Sequence, residues 1–339
     1  MSRKTSSGLP LMRRLFIMAM SAFTTLCAAL AVVGLWAVWS FNGAGPATRD
    51  GQPAVVMLRK GAGLNEIAGA LESAHVVRSS AIFIAAAQVT GAARSLKAGE
   101  YEFPSKASMA RVLGDIRAGK IVRHQVTIPE GSTSDMVIEI LNREEALTGE
   151  AATPPEGAIL PETYDFQRGE DRAAVLQRMM DARDKLLATL WAKRKANLPI
   201  STPEEAVILA SIVEKETGVA GERPQVASTF VNRLRKGMRL ESDPTIIYGI
   251  TRGRPLGRRI LLSELQAQTP YNTYAISGLP PTPIANPGRA ALAAVLDPPE
   301  TDYLFFVADG SGGHAFAATY EEHLQNVAKW RAWRARTGK

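Results

Sequence analysis

The sequence has a single cysteine, Cys27, so no intrachain disulfide can form. Its four histidines are scattered, and with one cysteine they spell out no zinc or iron–sulfur ligand set, so neither a metal nor another cofactor is expected. The 20 prolines and 28 glycines are spread along the chain, which excludes collagen-like repeats and long low-complexity disorder. With 46% hydrophobic and 22% charged residues, the composition also excludes a polytopic membrane protein. At roughly 100–200 residues per domain, 339 residues suggest two domains plus extras.

The net charge of +7 invites a nucleic-acid reading, but its location argues against one. Residues 1–14 carry Arg3, Lys4, Arg13 and Arg14 with no acid, and residues 329–339 carry Lys329, Arg331, Arg334, Arg336 and Lys339 with no acid. Without these two ends the body is left at −2, so no nucleic acid is expected as a partner. The cluster Arg252, Arg254, Arg258, Arg259 is a local exception, either a solvated loop or a contact for an anionic ligand.

From Leu15 to Thr48 there is no charged residue. The apolar run over 15–41 exceeds the roughly 20 residues that span a bilayer. Arg13 and Arg14 precede it, and Trp36, Trp39 and Phe41 close it, which predicts a cytoplasmic N-terminus (residues 1–14) and an outward-facing remainder. A cleaved signal peptide would have a shorter core and a better cleavage site than Ala44-Gly45-Pro46, so an uncleaved anchor is expected. In a bacterium that is a single-pass inner-membrane protein with its body in the periplasm.

Residues 42–53, rich in Gly, Pro and small polar residues, read as a linker. An internal repeat follows. Val56-Met57-Leu58-Arg59-Lys60-Gly61 aligns with Val126-Thr127-Ile128-Pro129-Glu130-Gly131, and Ile67 and Leu71 align with Val137 and Leu141, all at an offset of 70. Each copy reads as a strand, a Gly turn and a helix. Between them lie a helix over about 80–90, a strand over 99–103 and a helix over 108–118. Strand-helix-helix-strand with a Gly turn resembles a LysM-like module, a small fold that binds N-acetylglucosamine chains. Residues 54–143 are therefore expected to form a glycan-binding module or, failing that, a spacer. The polar stretch 144–157 marks the next boundary, and residues 144–339 are expected to form a mixed α+β domain. The fold class expected is α+β.

Thr202-Pro203-Glu204-Glu205 starts a helix, with Thr202 as cap and Glu205 completing a capping box, and Gly218 can stop it. At about 100° per residue, Glu216 falls in the middle of the arc made by Ile208, Leu209, Ile212 and Val213. Glu214 falls on the far side with Val207, where it is expected to be partly exposed or paired. Glu216 thus points toward the core at the last turn. Burial and the helix C-terminus both raise a carboxyl pKa there, keeping it protonated as a general acid requires. The competing reading is a buried glutamate tied to Arg223 or Arg233.

Downstream, a helix over 223–236 brings Asn232 and Arg233 near the same place, Met238-Arg239-Leu240-Glu241 alternates as a strand, and Ser242-Asp243-Pro244-Thr245 reads as a turn. Tyr271-Asn272-Thr273-Tyr274 opens an irregular stretch through Gly278-Leu279-Pro280-Pro281 and Ile284-Ala285-Asn286-Pro287-Gly288. Such a Pro- and Gly-stiffened loop with Tyr and Asn suits sugar recognition, with Tyr271, Asn272 and Tyr274 as the contacts. A hairpin over 303–317 and a capped final helix from Thr319 complete the chain.

Taken together, Leu209-Ala210-Ser211-Ile212-Val213-Glu214-Lys215-Glu216-Thr217, Glu222-Arg223, Val231-Asn232-Arg233-Leu234, Gly237-Met238-Arg239-Leu240-Glu241-Ser242-Asp243-Pro244-Thr245-Ile246-Ile247-Tyr248, the Tyr-Asn-Thr-Tyr loop and Phe306-Val307-Ala308-Asp309-Gly310 with Gly313-His314 carry a resemblance. The chain resembles the MltG (YceG-like) endolytic murein transglycosylases over its whole architecture. Glu162 departs from the Pro-Asp-Thr-Tyr motif expected there. The resemblance implies that Glu216, the second Glu of Glu-Lys-Glu, is the catalytic acid. It implies cleavage between N-acetylmuramic acid and N-acetylglucosamine in nascent peptidoglycan, leaving 1,6-anhydro ends and limiting strand elongation. It implies the company of peptidoglycan synthases without saying which. Glu162, Glu214, Asn232, Arg233, Asp243, Thr245, Tyr248, Tyr271, Asn272 and Tyr274 are the substrate-binding candidates. The rival reading is a non-catalytic cell-wall binder or scaffold.

Overall fold

The computed structural model describes residues 9–48 and 50–338, so Arg3, Lys4 and Lys339 of the basic ends lie outside the described residues. The chain is α+β and forms two compact units, Met1–Arg123 and His124–Lys339.

The first unit begins with α1 (Leu9–Asn42), whose stretch Met12–Asn42 is long and apolar enough to cross a membrane. Then come β1 (Ala54–Leu58), α2 (Leu64–Ser73), α3 (Ser80–Val89), β2 (Gly99–Phe103) and α4 (Met109–Ala118). β1 and β2 pair antiparallel with Val56 opposite Tyr101. Leu58, Leu71, Phe83, Tyr101, Phe103 and Ile116 fill the core beneath them. The Tyr101 hydroxyl donates to the Lys97 carbonyl at 2.8 Å, so the ring is buried without an orphaned polar atom. Ser79 and Ser108 cap α3 and α4 through their side chains.

The second unit opens with β3 (His124–Thr127), α5 (Ser134–Arg143) and β4 (Thr163–Phe166). The repeat is structural: β3 starts 70 residues after β1, and α5 starts and ends 70 residues after α2. Gly61 and Gly131 hold the intervening turn at φ +84° and +74°, where a side chain would be strained. Each copy recruits its own partner strand, since β3 pairs antiparallel with β4 and not with β1 or β2. That pairing moves the expected boundary after residue 143 back to Arg123/His124. The second copy belongs to the second unit, and the polar stretch 144–157 lies inside that unit.

Further elements are α6 (Arg172–Ala192), α7 (Pro203–Glu216), α8 (Arg223–Arg235), α9 (Asp243–Thr251), α10 (Leu262–Gln266), α11 (Arg289–Leu296), the hairpin β5 (Phe305–Ala308) with β6 (His314–Ala317), and α12 (Tyr320–Thr337). Two cores result. One lies under β3 and β4 with Val126, Leu141, Phe166, Val175 and Met179. The other surrounds α7, with α6, α8 and α11 contributing Leu187, Phe230, Leu292 and Val295.

Two local expectations change. No strand forms at Met238-Arg239-Leu240-Glu241, because its backbone meets a helix end and a loop: the Met238 N–H bonds the Arg233 carbonyl, and the Glu241 N–H bonds the Thr273 carbonyl. Ser242-Asp243-Pro244-Thr245 is the start of α9, with Pro244 in the first turn where its missing N–H costs nothing.

Candidate active site

Helix α7 is the element on which the site is built. Thr202 and Glu205 close a capping box at its start, and every residue from Ala206 to Glu214 is buried. It is a central helix, covered all round, so the far side that holds Val207 and Glu214 is as dry as the near side. Of the two expectations for Glu214, partly exposed or paired, the structure takes the second: it is buried and paired. It accepts from Arg223 Nη2 at 2.8 Å and from the Gly288 N–H at 2.9 Å. Arg223 also reaches Glu130, on the Gly turn of the second repeat copy, at 3.0 Å. Burial and the neighbouring Glu214 raise the Glu130 carboxyl above its ordinary range.

Glu216 is the last residue of α7 and only half-buried, at the point where the helix leaves its packing. Its carboxyl Oε1 accepts a short hydrogen bond from the Ser242 hydroxyl. Burial pushes its pKa from 4.5 up to about 7; the Ser242 hydrogen bond opposes this, Asp243 adds to it, and the charges of His314 and Arg233 pull back down. With Oε1 held as an acceptor, Oε2 is the oxygen left to carry a transferable proton. The competing reading, a glutamate tied to Arg223 or Arg233, describes Glu214 instead.

Ser242 is itself caged. Its N–H donates to Thr273 Oγ1 at 2.9 Å, Thr245 Oγ1 donates to its carbonyl at 2.7 Å, and the two threonine hydroxyls bond each other at 2.9 Å. Thr245 is therefore a support beneath the site, fully buried, not a contact for ligand. Arg233 is also buried, and donates to the carbonyls of Leu304, Arg239 and Leu240 and to Glu241. Asn232 fastens the carbonyls of Thr301 and Tyr303. Tyr248 is 5% exposed, donates to Glu156 at 3.3 Å and meets the Tyr271 ring edge-on at 5.0 Å.

The Tyr-Asn-Thr-Tyr loop divides by residue. Asn272 is 1% exposed; its amide donates to the carbonyls of Glu264, Leu265 and Ala267, and its oxygen accepts the Tyr274 N–H. It ties the loop to α10. We expect Asn272→Ala to lower stability by about 1–3 kcal/mol through unpaired buried groups. Glycan affinity of the folded protein should stay unchanged, as thermal melting and a binding assay below the melting temperature would check. Tyr271 and Tyr274 are half-buried. The Tyr274 hydroxyl donates to Asp243 Oδ1 at 2.8 Å, and burial followed by Asp243 raises its pKa. The Asp243 charge raises the Glu216 pKa, and Glu216 in turn adds to the upward shift of Tyr274. Glu162 is exposed and pairs with Arg289 at 3.1 Å.

The Pro-rich stretch is open at Pro281 and Thr282 and becomes a buried strap from Ile284 to Gly288. The Ile284 N–H bonds Ser211 Oγ on α7 at 3.0 Å. Asn286, fully buried, holds the Ile159 N–H, the Ser132 carbonyl and Glu156. Of the arginine cluster, Arg254 pairs with Glu139 and Arg258 with Glu264, while Arg252 lies over the Tyr248 ring at 5.6 Å, so its charge is largely engaged within the unit.

Sequence reasoning missed Ser242 and the pair Glu222–His314. His314 Nδ1 lies 2.8 Å from Glu222 Oε2, which also accepts from Thr217, the residue after Glu216, at 3.1 Å. The Ser-Asp-Pro start of α9 could have revealed Ser242. Nothing local signals a pairing between residues 92 positions apart. Among the described residues no group of three or more His, Cys, Asp or Glu side chains is arranged to hold a metal.

A model of the YceG-like family matches residues 56–329. An endolytic murein transglycosylase from Bacillus subtilis is 34% identical over 178 residues, covering 52% of this chain and 48% of that protein. One of the same name from Streptococcus pneumoniae is 29% identical over 324 residues, covering 81% of this chain and 58% of that protein. The chain thus spans about half the length of the curated relatives it matches. A solved YceG-like protein from Listeria monocytogenes is 27% identical, with a TM-score of 0.51 over 81% of this chain and 98% of that one. With the match running from β1 into the last helix, the chain belongs to the YceG-like family.

Proposed function

We propose that this protein is a membrane-anchored lytic transglycosylase of peptidoglycan, and that Glu216 is its acid and base. The observation that carries the proposal is the state of Glu216: a half-buried carboxyl at a helix exit, with a pKa near 7 and one oxygen free of the Ser242 hydrogen bond. The names of the relatives from B. subtilis and S. pneumoniae support the same reaction.

In this reading Glu216 gives its proton to the O4 of N-acetylglucosamine as the bond from C1 of N-acetylmuramic acid breaks. The C6 hydroxyl of the same muramic residue attacks C1 and closes a 1,6-anhydro ring, and its proton passes to the Glu216 carboxylate. One proton leaves the carboxyl and one returns, so no water is consumed and no second carboxylate is needed at the separation a hydrolase uses. Ser242 orients the carboxyl, with Thr245 and Thr273 supporting it. Asp243, Tyr271 and Tyr274 are the polar groups left to meet the glycan, and Glu162 is paired with Arg289.

The first unit is proposed as a LysM-like glycan-binding module. Helix α1 is proposed as a single inner-membrane span with the second unit in the periplasm, acting on nascent strands beside peptidoglycan synthases and so limiting their length.

Ser242→Ala should lower the rate by about 10- to 100-fold through a disordered carboxyl. Because the Ser242 hydroxyl lowers the Glu216 pKa, its removal should also move the alkaline limb of the rate profile to higher pH. The reaction itself is tested by digesting nascent glycan with the full chain and weighing the new ends. Ends lighter by one water, as 1,6-anhydro-muramic acid, are expected. Reducing ends would mean hydrolysis, and retention on sacculi without cleavage would favour a binding protein.

A further inference from the structure

Helix α3 does not fit a domain surrounded by water. From Ser79 to Ala93 there is no charged residue, and Arg78 and Arg94 stand at the two ends of that stretch. The helix is uncharged throughout and apolar except for Ser80 at its start and an exposed Gln88 near its end. Phe83 and Ala87 face the core of the first unit, while Ala81, Ala85 and Val89 face outward, with Val89 88% exposed. A helix this apolar, with Gln88 the one polar side chain among Ala81, Ala85 and Val89 on its outer face, belongs in a protein core or at a lipid surface, and α3 is only half in a core.

Its outer face is continuous with α1. Ala37, Val38 and Phe41 of α1 and Ile82, Ala86 and Val89 of α3 line one apolar cleft. Counting about 20 residues of membrane-spanning helix from Leu15 reaches Gly34. The next two turns, with Trp36 and Trp39 both exposed, then rise through the headgroup layer. A span that ends there uses only the first part of the apolar run over 15–41 and leaves the α1 wall of the cleft, with α3 beside it, for the headgroup level.

The joint between α1 and the rest of the unit is fastened, although the sequence reads as a loose linker over 42–53. The Gly43 N–H bonds the Trp39 carbonyl at 2.7 Å, the Gly45 N–H bonds the Lys106 carbonyl at 3.1 Å, and the Lys106 N–H returns to the Pro46 carbonyl at 3.1 Å. Thr48 N–H reaches Ser105 Oγ at 3.2 Å, and Arg78 donates to the Ala44 carbonyl at 3.1 Å. At Gly45 a Cβ would stand 2.1 Å from the Ala107 carbonyl oxygen, so only glycine permits this approach. With α1 set in a membrane, this joint sets the height of α3.

We infer that α3 lies in the outer headgroup layer beside the end of α1, seating the first unit on the bilayer surface through a second contact with lipid. Its outer face takes the upper acyl chains, and the arginines at either end of the uncharged stretch suit lipid phosphates. The inference rests on α1 being a membrane span.

The test uses the full chain with its single cysteine removed (Cys27→Ala). One new cysteine at a time is introduced at Val89, Ala85, Glu72 or Val32 and spin-labelled, in vesicles of phosphatidylcholine and phosphatidylglycerol. Collision rates with oxygen, which partitions into lipid, and with a water-soluble nickel chelate are compared. Labels at 89 and 85 are expected to favour oxygen severalfold over the label at 72 on the exposed side of α2, and to fall short of the label at 32 within α1. A water-like label at 89 and 85 with a lipid-like label at 32 would overturn the inference and leave the anchor intact. A water-like label at 32 would overturn the anchor and this inference with it. Shielding of 89 and 85 from both reagents would show a protein occupant and overturn the lipid contact.

Discussion

Replacing Glu216 with Gln is expected to abolish strand cleavage and, above neutral pH, to make the protein more stable. The amide cannot give or take the proton, so the loss should reach at least the about 10²–10⁴-fold that a general acid contributes. The stability gain follows from the pKa. The carboxyl ionises near pH 7 in the folded chain and near 4.5 unfolded, so the folded state resists ionisation. Below pH 4.5 both states are protonated and Glu216 has no effect on stability; between pH 4.5 and 7 a destabilisation grows, and above 7 it is complete. At about 1.4 kcal/mol per pKa unit, discounted for partial exposure, Glu216→Gln should gain about 1–3 kcal/mol at pH 8 and none at pH 4. Denaturant unfolding at the two pH values measures this directly. A glutamate that served the fold would give the opposite result, with stability lost at both.

Its neighbour two residues earlier should behave in that opposite way. Glu214→Ala is expected to lower stability by about 3–5 kcal/mol, because it strands a buried partner. Arg223 is 11% exposed at its side chain and would keep only Glu130, and its Nε is already buried without a partner. The Gly288 N–H would lose its acceptor as well, loosening the strap over α7. For a unit of about 200 residues this corresponds to a melting point lower by roughly 6–20 °C. Glu214→Gln keeps the acceptor for Gly288 and should cost less, with a rate per folded molecule within about tenfold of the parent. Equal losses of rate for Glu214→Gln and Glu216→Gln would undo the division of roles between the two glutamates.

Periodicity carried the reading where a residue's neighbours are its own helix or strand. The offset of 70 between repeat copies, the strand at Gly99–Phe103 and the cap at Thr202 depend on local pattern, and the elements fall where that pattern puts them. Partner choice was not legible. The second repeat copy looks like the first, yet β3 finds β4 about 40 residues on, which moves the boundary between the units. The wheel for α7 supplied a direction for Glu216 but not the covering on the far side, so it left Glu214 either partly exposed or paired, and the structure buries it on Arg223. Asn232 and Arg233 on a helix, Thr245 in an expected turn and Asn272 in an irregular loop were all candidates for substrate contact because each is polar and falls near the expected cleft. Their actual partners are backbone carbonyls, at Tyr303, Leu304, Ser242 and Ala267, which no sequence displays. Ser242 was read as part of a turn, although a Ser before Asp-Pro opens a helix and here points its hydroxyl at the acid.

The central claim is that one carboxyl, held protonated near neutrality, performs the chemistry. The measurement that bears on it most directly is the pH dependence of kcat/KM for glycan cleavage by the full chain. A rate that is flat in mild acid and falls tenfold per unit above an apparent pKa near 7 is the result predicted. A rate that holds level or rises through pH 9 would contradict it, since Glu216 would then be working without its proton.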